Sequence, residues 1–424
     1  MQYTILEVYR HNLYHACFTR AADALFDLAD ALLTDGAARS LIELSEAACF
    51  RRGWPSVYAA LQDGRIDRMA VIRVFTEMLP QRMVGTRLVL GLDTSSILRP
   101  EAHTAKDRTL VYRSNLPAAA TPVGPGWSFS ALVVVPNPVS SWTYILDHRR
   151  VPRTETATTI GVAQLQAVLP KLPAGGQRPV LLLDRRYSNA PWVMASATLP
   201  TDQLIRARAD QVLYRPAPAP TGTRGAPRKD GARFQGSELT THGPPDAEWT
   251  GVDAKAQTVQ VRCWAGVHGR KARTVTLTAV RIIRTGARGT KRAPREARFW
   301  WLGGALPSLA ELAERYPRRF GQEHGYRFDK QDLLWAAPRV RTPEQMERWT
   351  DLVAIVHTTL VLARPRVDAE RRPWEARHRP PTPRQVRRGR LLRNLGHRPG
   401  RPNHAEKHPG GRREQGSSGR SAMR

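Results

Sequence analysis

The sequence predicts a mixed α/β protein: an α/β core interrupted by a β-rich insertion, preceded by an all-helical N-terminal domain and followed by a basic, disordered tail. Three observations carry that reading. Apolar residues recur at helical spacing through residues 1–83. Two short apolar runs, RLVLGLD and PVLLLD, have the continuous hydrophobicity of strands buried on both faces, and each ends in an aspartate. From residue 364 onward the chain is dense in Pro, Arg and Gly, a composition too poor in apolar side chains to bury a core.

Within the N-terminal domain (1–83), Leu25, Leu28, Ala29, Leu32 and Leu33 mark one helix, and Leu41, Ile42, Leu44 and Ala48 mark another. Further helices fit residues 55–61, stopped by Gly64, and 67–78, stopped by Pro80. The first part of the core (84–208) opens with the strand that closes at Asp93, where Thr94, Ser95 and Ser96 are expected to break it. Strands are expected at 108–113, 128–135 and 142–146, then a helix at 154–169, then the second strand that closes at Asp184. A helix at 190–197 and a strand at 203–208 extend this block. The insertion (209–305) begins with an exposed Pro, Gly and Arg loop at 214–233. Alternation then dominates: Val259, Val261 and Cys263, then Val275, Leu277 and Ala279, then Phe299 and Trp301. Its basic stretches at 270–273 and 284–298 read either as grips for phosphates or as solvated hairpin tips. The core resumes at 306–363, where Thr342 and Pro343 start a helix whose apolar face includes Met346, Leu352, Val353, Val356 and Leu360. The tail (364–424) is expected to be disordered apart from a short helix around 383–395.

Charge points to a polyanionic partner. The chain carries a net +29, distributed as −1 over residues 1–83, +17 over 84–363 and +13 over 364–424. Such a molecule binds nucleic acid with an affinity that falls as salt rises. No apolar stretch approaches the ~20 residues of a membrane span, and the first residues lack the basic-then-apolar pattern of a signal peptide. Three cysteines make no disulfide framework. The expected setting is cytoplasmic, in association with the nucleoid when the protein is on DNA.

Near the C-terminal third, Tyr316, Arg319, Glu323 and Lys330 stand in the run RYPRRFGQEHGYRFDKQDLLW. Offsets of three, four and seven place these four side chains on one face if the run is a continuous helix. A chain of this composition yields about 0.001 such spacings by chance. Upstream, Asp93 and Asp184 add two carboxylates to Glu323. Taken singly, each has an ordinary reading: a turn former after a strand for the aspartates, a solvated helix residue for Glu323. Together they form an all-oxygen donor set suited to a hard cation such as Mg2+ or Mn2+. Two ions held about 3.5–4 Å apart can clamp the attacking and leaving oxygens of a phosphoryl displacement. No Cys or His cluster with metal-ligand spacing competes, since Cys17, Cys49 and Cys263 are far apart.

The spacing Tyr-x2-Arg-x3-Glu-x6-Lys resembles the signature of one group of DDE transposases of bacterial insertion sequences, and the resemblance extends over about residues 85–362. It implies an RNase H-like catalytic core in which Asp93, Asp184 and Glu323 bind two metal ions. Such an enzyme cuts double-stranded DNA at the terminal inverted repeats of its element and joins the 3'-hydroxyl ends to target DNA, acting as a homodimer on DNA. Arg319, as a fork, and Lys330, as a point charge, are implied to contact phosphates near the cleaved end, and Tyr316 to pack on or bond to it. The resemblance makes the N-terminal domain the reader of the repeats, although its near-neutral charge suits an assembly lobe equally. Asp329 departs from the family pattern, which has an apolar residue there; it is expected to damp the field of Lys330 or to face solvent. The rival readings are an RNase H-like nuclease without strand transfer and a catalytically silent, domesticated DNA-binding protein.

Overall fold

The computed structural model describes residues 4–84, 87–112, 122–136, 140–173, 176–219, 226–286, 294–376 and 378–389. The chain starts with helices α1 (Ile5–Asn12), α2 (Ala22–Thr34), α3 (Pro55–Asp63) and α4 (Arg68–Glu77). Asp67 caps α4 by accepting from the backbone N–H groups of Met69 and Ala70. The second expected helix is only one turn, Leu41–Leu44. The lobe is not purely helical either: Phe18–Arg20 pairs with Arg65–Ile66 as a two-stranded ribbon.

Next come β1 (Val89–Leu98), β2 (Val123–Val134), β3 (Tyr144–Val151), α5 (Ala157–Val168), β4 (Val180–Leu183), α6 (Ala190–Ser196) and β5 (Asp202–Ala207). Their order across the sheet is β3-β2-β1-β4-β5, with β1, β2 and β3 antiparallel and β4 and β5 parallel to β1. In the parallel strand β4, Leu181, Leu182 and Leu183 are fully buried, as both faces are covered. Contrary to expectation, β1 does not stop at Asp93. Thr94, Ser95 and Ser96 continue it, because β2 offers an antiparallel ladder as far as the Leu98–Gly126 pair. The strand at Thr109–Tyr112 is an extra edge strand on β2.

The insertion contributes β6 (Thr258–Gly269), β7 (Ala272–Thr285) and β8 (Arg295–Leu302). It is not a separate sheet, since β8 pairs antiparallel with β5 and so extends the core into a single 12-stranded sheet among the described residues. After it come α7 (Leu309–Arg315), α8 (Phe320–Gln331), α9 (Pro343–Ala363) and α10 (Pro383–Arg388).

Helix α9 is buried along nearly its whole length, and the N-terminal helices close over it. Tyr9 donates its hydroxyl to the Ile355 carbonyl, and Arg82 donates to the Val361 carbonyl. Helices and sheet share one continuous apolar core from Leu6 to Val386. The first part of the tail belongs to that body: Val386 is fully buried, and the buried Arg387 donates to the carbonyls of Leu32 and Asp35, satisfying the open C-terminal end of α2. The expectation of disorder therefore fails for residues 364–376 and 378–382, where a few buried anchors suffice to dock a polar segment, while α10 falls where the short helix was expected. The rest of the tail, and the second half of its expected helix, lie outside the described residues. Among the described residues no helix is long and apolar enough to cross a membrane.

Candidate active site

The parallel part of the sheet brings two distant aspartates together. Leu92 of β1 is the register partner of Leu183 of β4, so the next residues, Asp93 and Asp184, stand side by side. Adjacent strands lie about 4.8 Å apart, and residues at one level share a face. Leu183 in turn partners Ile205 of β5, which places Arg206 beside Asp184. Asp93, Asp184 and Arg206 thus form a row across three strands.

Helix α8 brings Glu323 to this row. Its inner face lies on β1, where Gly91 leaves room for Gln322: a Cβ on Gly91 would come within 2.7 Å of Gln322 Oε1. Gln322 donates to the Ala131 carbonyl at 2.9 Å, and Tyr326, one turn on, donates its hydroxyl to the Asp93 carbonyl at 2.8 Å. A second close approach occurs at Gly325, where a Cβ would meet Thr143 Oγ1 at 2.6 Å. With the helix so fixed, Arg319 reaches Asp93 Oδ2 at 2.5 Å through Nη2 and Glu323 Oε1 at 3.1 Å through Nη1. Asp93 and Arg319 are buried, Asp184 is half-buried, and the Glu323 side chain is 50% exposed.

Tyr316, Arg319, Glu323 and Lys330 do not form one helical stripe. Tyr316–Arg319 is a separate 3-10 turn between α7 and α8, containing Pro317, which lacks the N–H and the steric room to continue a helix. Tyr316 packs edge-on against Phe299 of β8, with ring centroids 4.6 Å apart. Lys330, at the far end of α8, donates to the Ser96 carbonyl at 2.8 Å and lies over the Trp335 ring. Asp329 does not face solvent; its charge acts on Lys330, as expected, but it forms no ion pair with it. It is buried against His357 of α9, Oδ1 to Nδ1 at 2.6 Å, while His357 Nε2 lies 3.0 Å from the Thr143 carbonyl. Both ring nitrogens face oxygens, and although burial lowers it, the Asp329 carboxylate and these hydrogen bonds raise the His357 pKa above the ordinary histidine value. An acid in that position is explained by its partner, a histidine 28 residues away.

The buried charges at this place perturb one another. Burial pushes the Asp93 carboxyl up to about 6; Arg319 opposes that shift and the neighbouring Asp184 adds to it. Burial alone would lower the Arg319 pKa, but Asp93, Tyr316, Asp184 and Glu323 together raise it. Burial raises the Tyr316 phenol, whose surroundings include Arg319, Arg206, Asp184 and Asp93. Lys330 is lowered by burial, with Asp329 acting against that.

Among the described residues, no three acidic, histidine or cysteine side chains converge closely enough to form a complete metal site. Arg319 lies between Asp93 and Glu323, and its guanidinium supplies positive charge to both. The donor chemistry nonetheless fits a hard divalent cation: carboxylate oxygens only, two of the groups abreast on neighbouring strands, and mutual repulsion that a cation relieves. Asp184 already has one oxygen engaged, accepting from the Arg186 backbone N–H at 2.9 Å.

Arg206 and Arg186 are missing from the sequence reading. Arg186 donates to Thr94 Oγ1 at 2.6 Å, linking the turn after β4 to the middle of β1. Arg206 lies 5.1 Å above the Phe299 ring. A signal existed for Arg186, two residues after Asp184. None existed for Arg206, whose place depends on a strand register.

Comparison with known proteins bears on these observations. The family model for the DDE superfamily endonuclease matches residues 13–270. That match includes Asp93 and Asp184 and ends before Tyr316, Arg319, Glu323 and Lys330. No curated protein matches the chain. Among solved structures, one that resembles it is a piggyBac transposase synaptic complex with hairpin DNA, with a TM-score of 0.43 and 11% identity over 88% of this chain and 70% of that one.

Proposed function

We propose that this chain, which belongs to the DDE superfamily endonucleases, is a transposase that cuts double-stranded DNA at the ends of a bacterial insertion sequence and joins the 3'-hydroxyl ends to target DNA. The observation that carries the reading is the parallel register that sets Asp93 beside Asp184, with Arg319 linking Asp93 to Glu323. The strand order β3-β2-β1-β4-β5 supports an RNase H-like core. The Tyr-x2-Arg-x3-Glu-x6-Lys spacing supports the insertion-sequence group.

Asp93, Asp184 and Glu323 would hold the metal, with Mg2+ or Mn2+ as the cation and room in the donor chemistry for two. When bound, such ions supply Lewis-acid activation of the attacking oxygen and neutralise the leaving one. The chain's own residues set the stage. Arg319 balances the charge of Asp93 and orients Glu323. Tyr326 and Lys330 fasten α8 to the backbone of β1 at Asp93 and Ser96. Arg186 and Arg206 present guanidinium groups beside the carboxylates, suited to the phosphate oxygens of a DNA strand. Tyr316 places a phenol near both aspartates, positioned to hold the DNA end. Pairing two element ends calls for a homodimer on DNA.

The test is incubation of the purified protein with Mg2+, a labelled duplex carrying the presumed element end, and a target plasmid. The reading requires metal-dependent nicking at the terminus and labelled plasmid from end joining. Nicking without joining favours a nuclease, and binding without either favours a silent DNA-binding protein.

A further inference from the structure

The outer face of α8 does not end at Glu323. It continues through His324 and Arg327 to Gln331, all exposed. Beyond it, the ordered tail segment closes a groove made of two adjoining cavities of about 610 and 420 Å³, which share Gln331, Asp332 and Arg384. Its walls are fixed. Arg384 of α10 makes a two-pronged pair with Asp332 at 2.6 and 2.8 Å, and buried Arg387 donates to the Asp332 carbonyl as well as to the end of α2.

The lining carries seven arginines against four acids, Asp35, Asp332, Glu370 and Glu375. Arg327 and Arg379 are exposed and form no ion pair among the described residues, and Arg39 and Arg372 line the larger cavity. Arg372 stacks on Trp374, itself 76% exposed. The rest of the tail is a poor occupant, since residues 390–424 hold nine Lys and Arg against two acids. Along a helix, Glu323 and Arg327 are separated by about 6 Å. A DNA strand advances about 3.4 Å per nucleotide. A backbone engaged at Glu323 therefore reaches the groove in about two nucleotides.

We propose that the groove between α8 and the ordered tail segment holds the sugar-phosphate backbone of DNA running past the catalytic face, with Arg327 and Arg379 neutralising its phosphates. The proposal rests on the reading of the chain as an enzyme acting on DNA. The experiment measures duplex DNA binding by fluorescence anisotropy without divalent metal, across a salt series. The samples are the full chain, the double variant Arg327→Ala/Arg379→Ala, its Lys/Lys counterpart, and Arg262→Ala, an insertion arginine that faces Glu248, as control. The expected result is a log K against log salt slope shallower by about 2 for the Ala variant, with the Lys variant and the control close to wild type. An unchanged slope in the Ala variant overturns the proposal, and so does an equal loss in the Lys variant, which would indicate packing rather than charge. Because no metal or cleavage is involved, failure of the wild type to nick DNA counts against the proposed reaction and leaves this comparison readable.

Discussion

The two halves of the large sheet are both rich in arginine, but they handle it differently. In the insertion, Arg281 and Arg298 share Glu296 at 2.5 and 2.7 Å, Arg273 makes a two-pronged pair with Asp230, Arg284 faces Asp253 and Arg262 faces Glu248. At the ends of the parallel strands, Arg185, Arg186 and Arg206 form no ion pair among the described residues. Their neighbours are a threonine hydroxyl and a phenylalanine ring, and the acids close by are the candidate metal ligands. Composition counts charges, whereas pairing decides where a positive field survives. In the insertion's basic stretches, expected to grip DNA or to lie solvated, Arg273, Arg284 and Arg298 are thus paired, whereas Arg270, Lys271 and Arg295 are exposed and form no ion pair among the described residues; residues 287–293 fall outside that set.

This contrast can be broken or sharpened experimentally. The largest effect is expected at the carboxylates: Asp93→Ala or Asp184→Ala should reduce metal-dependent nicking by about three orders of magnitude or more while leaving duplex binding nearly intact, as measured by single-turnover cleavage and anisotropy. Next is Arg319→Ala, which leaves Asp93 buried without its counter-charge. A loss of about 3 kcal/mol in unfolding free energy is expected from denaturant titration, less to the extent that Asp93 takes up a proton. Gly91→Ala makes the Gln322 amide shift from its place on β1, with about 1–3 kcal/mol lost and cleavage impaired more than folding. At the small end, Arg262→Ala in the insertion should change stability by less than about 0.5 kcal/mol and leave the salt slope of DNA binding unchanged. A large drop in that slope would show that pairing does not silence the insertion.

A pH dependence comes from His148, buried against Phe129 and Trp335. Burial, reinforced by Arg68, His357 and Lys330, lowers its pKa to about 3. The unfolded chain takes up this proton below its ordinary value of about 6.5, while the folded chain does so only near 3. The histidine's contribution to stability is therefore complete above 6.5 and is lost as pH falls toward 3. His148→Phe should flatten that part of the stability profile, measured by chemical denaturation across the pH range.

What could be read from the sequence was local. The runs ending at Asp93 and Asp184 declare themselves because a strand buried on both faces needs uninterrupted apolar residues, and α9 declares itself by its period and its Thr342 cap. Hidden features were set by partners far along the chain. The continuation of β1 past Asp93 depends on β2, the burial of Asp329 on His357, the docking of α10 on the carbonyls of α2, and the place of Arg206 on the register of β4 with β5. The break at Pro317 was legible in principle, since proline interrupts a helix, but the four-residue spacing around it masked the signal.

The most direct test of the central claim is a calorimetric titration of Mn2+ into the wild-type protein and into Asp184→Asn, which removes one charge at nearly constant shape. Saturable binding by the wild type that is weakened at least tenfold in the variant is the predicted result. Equal binding by both proteins would contradict a metal site built on Asp93, Asp184 and Glu323.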